Sequence, residues 1–305
     1  MKDLKKTTAL MLAAAMLFTA ASCGKTAEET EEETTAAETT VTETTAETTE
    51  ETTAETTAEE TEETEETEAE IDVEFAEFDL DEFPFEMNED AFVEASNELG
   101  AAVYYDVDEF MSMINSIRAA DSAAIAQYQT GITIVTSGDS VSELVEAFGN
   151  PTAEGSEEFN VHVTDMCLFT AADPVSGDYQ VVIMMYEVDD PEVLTDWYEF
   201  ALVQYIEEAD SFLPDASIFD SVVTPFESGD ARALLSSSVL TEAALQQDDS
   251  YPEHSGAYIA IYVNGARGMF ITVTDFDNDA EGLTMLETFC DALGILNPAT
   301  DNAVS

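Results

Sequence analysis

Three aspartates in seven residues, Asp275-Phe276-Asp277-Asn278-Asp279-Ala280-Glu281, are the chain's nearest approach to a metal-binding pattern. Acids at positions 1, 3 and 5 open a calcium loop, because a hard divalent cation collects oxygen ligands from a tight turn. That chemistry also needs Gly at position 6 and a bidentate Glu at position 12, where this chain has Ala280 and Leu286. The same run reads as an acidic cap on a following helix, whose N-terminal N–H groups attract negative charge. The cap is the preferred reading. No metal is assigned, and Asp275, Asp277 and Asp279 are kept as the candidate ligands should one bind.

Other chemistries fail for want of residues. No lysine follows Lys25. This removes a phosphate-binding Walker loop, Ser-x-x-Lys nucleophiles and Schiff-base chemistry from the rest of the chain. There is no Gly-x-Ser-x-Gly elbow. The two imidazoles are His162, alternating with valines as in a strand, and His254, in a polar Pro-Glu-His-Ser-Gly stretch. Two distant histidines and two cysteines in apolar surroundings do not make a zinc pattern. Cys167 and Cys290 read as buried thiols, with a disulfide as the alternative in an exported chain. Carboxylate pairs of the glycosidase kind occur everywhere by coincidence in so acidic a sequence and carry no signal. Trp197, Tyr251, Tyr258 and Tyr262 could stack on sugars, but Trp197 falls at a core-facing helical position. The expectation is a protein that is not an enzyme and has no cofactor.

Charge narrows the partners. The chain has 68 acidic and seven basic side chains, a formal net charge of −61. From Ile71 onward 48 acids face three arginines, a net −45. Nucleic acid is excluded as a partner, because binding phosphates needs Lys and Arg. Anionic lipid headgroups are excluded for the same reason. Divalent cations are expected only as a diffuse cloud.

The amino terminus explains how such a chain meets a membrane. Lys2, Lys5 and Lys6 precede an apolar stretch over residues 7–19 that is too short to span a bilayer and suits a signal peptide. Ala20-Ala21-Ser22-Cys23 follows and resembles the lipobox of bacterial lipoproteins. That resemblance implies a signal peptide over residues 1–22 and a lipid on Cys23. The expected location is the extracellular face of the cell membrane, lipid-anchored. Residues 26–70 hold 18 Thr, 19 Glu, seven Ala and one Val. No apolar face exists there to offset chain entropy, so residues 23–70 read as a lipidated Cys and a disordered acidic linker. A coil of that length spans roughly 35–40 Å, more when like charges stretch it.

Residues 71–305 read as one α+β domain, with a sub-boundary near 150–160. Residues 71–85 are acidic with repeated Phe, an edge strand or a docking segment. Asn88 is a helix cap, and Phe92, Ala95 and Leu99 share a face that Gly100 closes. A strand over 101–107, a helix after Asp108, a strand over 132–135 and a helix from Asp139 complete the first third. Then come two strand-strand-helix units. The strands 165–172 and 180–188 precede a helix capped by Asp190-Pro191. The strands 257–263 and 269–274 flank an Asn264-Gly265 turn and precede a helix with Leu283, Leu286, Cys290 and Leu293 inward. Extra strands are read at 219–223 and 231–236. The fold class is α+β, antiparallel sheet with helices on one face.

Phe92-x-x-Ala95-x-x-x-Leu99-Gly100, the paired units, the closing Ala292-Leu293-Gly294 and the Thr/Glu tether together are similar to uncharacterised surface lipoproteins of Gram-positive gut bacteria (Bacillota) that carry a C-terminal domain of unknown function. The resemblance covers residues 87–107 and 161–295 and implies location and fold, with no activity attached. The leading expectation is a membrane-anchored extracytoplasmic lipoprotein acting as a non-catalytic binding or envelope module. The alternatives are an extracytoplasmic solute-binding lipoprotein and a carboxylate-dependent hydrolase.

Overall fold

The computed structural model describes residues 75–77, 88–119, 131–141, 144, 162–173, 177–207, 219–247 and 255–302. Cys23, the 26–70 tract and His254 lie outside them. The described residues build one sheet, and its longest strands are hairpins. In chain order the strands are β1 (Ala76–Glu77), β2 (Ala102–Tyr104), β3 (Ile132–Ser137), β4 (Val163–Ala172), β5 (Tyr179–Val188), β6 (Phe219–Ser228), β7 (Ala231–Leu240), β8 (Gly256–Asn264) and β9 (Arg267–Asp275). The helices are α1 (Glu89–Glu98), α2 (Val107–Ala119), α3 (Pro191–Glu207), α4 (Glu242–Gln247) and α5 (Glu281–Leu293).

Across the sheet the order is β1-β6-β7-β8-β9-β5-β4-β3-β2. Only the outermost pairs, β1–β6 and β2–β3, are parallel. Everything between is antiparallel, so the α+β reading holds. β3 and β4, which flank residues 150–160, pair along six positions of this one sheet. Both strand-strand-helix units are present, as β4-β5-α3 and β8-β9-α5. The strands read at 219–223 and 231–236 extend to full ten-residue strands, β6 and β7, and α4 follows them. The unit therefore occurs three times.

The helices do not share one face, as expected from sequence, but lie on both. Phe92 and Ala95 of α1 and Met285, Leu286, Phe289, Cys290 and Leu293 of α5 join a core with Val181, Ile183, Ile271 and Val273. Phe110 and Ile114 of α2 and Leu194, Trp197, Tyr198 and Ala201 of α3 join a second core with Met184, Tyr186, Ile261 and Phe270. Neighbouring strand residues point to opposite faces. A run such as Val181-Val182-Ile183-Met184-Met185-Tyr186, apolar at every position, must therefore be covered twice. Alternating polar residues, the mark of a one-sided sheet, are missing from the middle of β4 (166–169) and of β5 (181–186).

Local boundaries also moved. β2 ends at Tyr104 where a strand to 107 was expected. Asp106 Oδ1 accepts a hydrogen bond from the Glu109 N–H at 2.8 Å, so Asp106, not Asp108, caps α2, and Val107 becomes its first, buried residue. No described helix is long and apolar enough to cross a membrane.

Candidate functional site

Among the described residues, a concave surface lined by titratable side chains lies between α1 and α5. α1 begins where Asn88 Oδ1 accepts a hydrogen bond from the Ala91 N–H at 3.0 Å. Phe92 then faces Phe289 of α5, ring centroids 4.9 Å apart, and Phe289 also meets Phe169 of β4 at 4.7 Å. These aromatic contacts fasten both helices to the sheet. A buried hydroxyl chain adds a polar tie: Thr133 Oγ1 donates to Ser96 Oγ, and Ser96 Oγ donates to the Phe92 carbonyl. Above this junction small side chains leave a groove of about 500 Å³, lined by Ala91, Glu94, Ala95, Glu98, Glu287, Thr288, Asp291 and Ala292.

Its electrostatics follow from helix spacing. Glu94 and Glu98 stand one turn apart on α1, and Glu287 and Asp291 one turn apart on α5. Side chains four residues apart are neighbours on a helix surface. Like charges at that spacing repel, and here two such pairs face one groove with no base in its lining. Their field reaches inward. Burial pushes the Cys290 thiol far above its ordinary value, and Asp301, Asp291 and Glu287 push it further. Chemically the groove sets the methyls of Ala91 and Ala292 beside four exposed carboxylates. That combination suits a cation carried on an aliphatic stem.

The residues singled out in the sequence are elsewhere. Asp275 is fully buried at the end of β9. Its Oδ2 accepts from the Leu283 N–H at 3.0 Å and its Oδ1 from the Asp277 N–H at 3.2 Å. Asp277 in turn accepts from the Asp279 and Glu281 N–H groups. The aspartates thus satisfy the open N-terminal donors of α5, which its N-cap residue Ala280 does not do with its own side chain. Burial raises the Asp275 carboxyl pKa, while the Leu283 N–H pulls it down less strongly. Among the described residues no three His, Cys, Asp or Glu side chains are placed to hold a metal ion. Ala280 adopts φ 53°, the left-handed conformation that a calcium loop gives to Gly, yet the surrounding carboxylates aim at backbone donors. Gly282 packs closely against this arrangement: a Cβ there would meet Asp275 Oδ2 at 3.0 Å and the Tyr179 Cβ at 3.3 Å, so the neighbours would have to shift by a few tenths of an ångström.

Cys167 and Cys290 are both free and buried, so the disulfide alternative falls away. His162 stands just before β4 rather than within a strand, and its Nδ1 lies 2.7 Å from Asp189 Oδ1. The pair ties the start of β4 to the end of β5, where the Asp189 N–H also donates to the His162 carbonyl at 3.0 Å. Trp197 and Tyr258 are buried, and Trp197 packs edge-on against Phe270.

The chain matches no family model, no curated protein and no solved structure. The groove residues escaped the sequence reading for a simple reason. Acid pairs one turn apart recur throughout the chain, and nothing local says that residues 94–98 and 287–291 meet.

Proposed function

We propose that this protein is a lipid-anchored extracytoplasmic lipoprotein whose folded domain is a non-catalytic binding module for a cationic ligand or envelope partner. The anchor is Cys23, and the acidic Thr/Glu tract serves as the tether. The observation that carries the binding reading is the α1–α5 groove: four exposed carboxylates beside small alanine side chains, with no lining base to neutralise them. A lysine or arginine side chain of a partner would lay its methylenes against Ala91 and Ala292 and place its charge among the acids. The strong negative charge of the whole domain would raise the on-rate for such a partner.

Titration of the mature chain with a short Lys/Arg peptide, followed by amide chemical shifts, tests this. Shifts should centre on α1 and α5. The combined Glu94→Gln, Glu98→Gln, Glu287→Gln and Asp291→Asn variant should weaken binding about tenfold, since each exposed charge pair contributes up to about 1 kcal/mol. Equal affinity for the variant would reduce the groove to one part of a diffuse acidic surface. The anchor is tested separately. Cys23→Ala should leave the signal uncut or release the protein from membranes, and a processed, membrane-retained variant would refute lipidation.

A further inference from the structure

We draw no further inference here: the strongest candidate, the acidic groove between α1 and α5, belongs to the site already described, and a cluster of carboxylates with no bound group or buried unpartnered side chain turned into it says nothing more about what it takes.

Discussion

Asp275 is the residue on which the C-terminal helix depends. Removing its carboxylate leaves the Leu283 and Asp277 N–H groups without their acceptor. Asp275→Ala should therefore cost about 2 kcal/mol, the scale of a lost cap plus unsatisfied, partly buried donors, read as a lower denaturant midpoint. Ala280→Gly should act in the opposite direction. An L-residue in the left-handed region is strained by about 1 kcal/mol, and glycine relieves it, so that variant should unfold at higher denaturant. Gly282→Ala should resemble Asp275→Ala, because the new methyl pushes against the same carboxylate. If Gly282→Ala proves neutral, the cap is looser than its distances indicate. By contrast, His162→Ala breaks a partly exposed pair and should change stability by less than about 1 kcal/mol.

Among the elements, α5 lines the groove with Glu287 and Asp291 and enters the first core with five side chains, of which Phe289 packs against both Phe92 and Phe169. Phe289→Ala removes its ring from Phe92 and Phe169 together and should cost about 3–5 kcal/mol. Its larger signature would be faster hydrogen exchange in α1 than in α3, because α3 packs on the opposite face. The β6 edge is the other exposed risk. Among the described residues, β1 pairs with it at Phe226 and Glu227 only. Further along, Asn302 Nδ2 donates to the Val222 carbonyl, and Thr224 Oγ1 donates to the Asn302 carbonyl. Pro225 is tolerated here because an edge strand can spare a ladder donor. Asn302→Ala should uncover the Val222 carbonyl and promote concentration-dependent self-association, visible by light scattering. These examples also mark what the sequence could say. Asn264-Gly265, Asp190-Pro191 and the spacing of Leu283, Leu286 and Leu293 act locally, so hairpins and helices were legible. Which face each helix covers depends on strand neighbours far apart in the chain. β9 lies against β5, and no local pattern encodes that. The groove was hidden for the same reason, and the cap of α5 was read correctly because its donors and acceptors fall within nine residues.

For the molecule as a whole, charge and buried hydroxyls set opposite ends of a pH profile. Crowded carboxylates repel, and unfolding lets them separate. Added NaCl should raise the melting temperature, and matched Ca²⁺ and Mg²⁺ should do so alike. A large effect of micromolar Ca²⁺ alone would return Asp275, Asp277 and Asp279 to consideration as ligands. Asp275 adds to the acid side. Its folded pKa is raised, so the native state takes up its proton more readily. That contribution is fullest below about pH 4, the range of a free Asp, and falls as pH rises through the folded value. Stability should therefore increase on mild acidification from pH 7, less so in Asp275→Asn. At the alkaline end, burial pushes Tyr179, Tyr205 and Tyr258 up to about 12, and raises Tyr186, Tyr198 and Tyr262 as well. Cys167 is likewise pushed up to about 12. A raised folded pKa contributes stability in full below the unfolded value, about 10 for tyrosine, and loses it as pH climbs through the folded one. Unfolding should set in steeply between pH 10 and 12, with tyrosinate absorbance appearing in the same transition. Tyrosinate formed before unfolding would show the rings to be accessible.

The position of β9 between β8 and β5 also has a kinetic meaning. β4 with β5, and β6 through β9, are two meanders: their hairpins β4–β5, β6–β7 and β8–β9 can close through short turns soon after the chain collapses, and residues 241–255, with α4, carry β7 to β8. The seam from Tyr179 opposite Asp275 to Glu187 opposite Arg267 joins them only after the chain between has closed into a long loop. Closure of that loop carries an entropic cost that local turns avoid, and non-local pairing of this kind slows folding. The two meanders should gain protection early in pulse-labelled refolding, and the amides along the β5–β9 seam late. A truncation of α5, which follows directly from β9 and covers that seam, would then lengthen the slow phase and leave the early one unchanged.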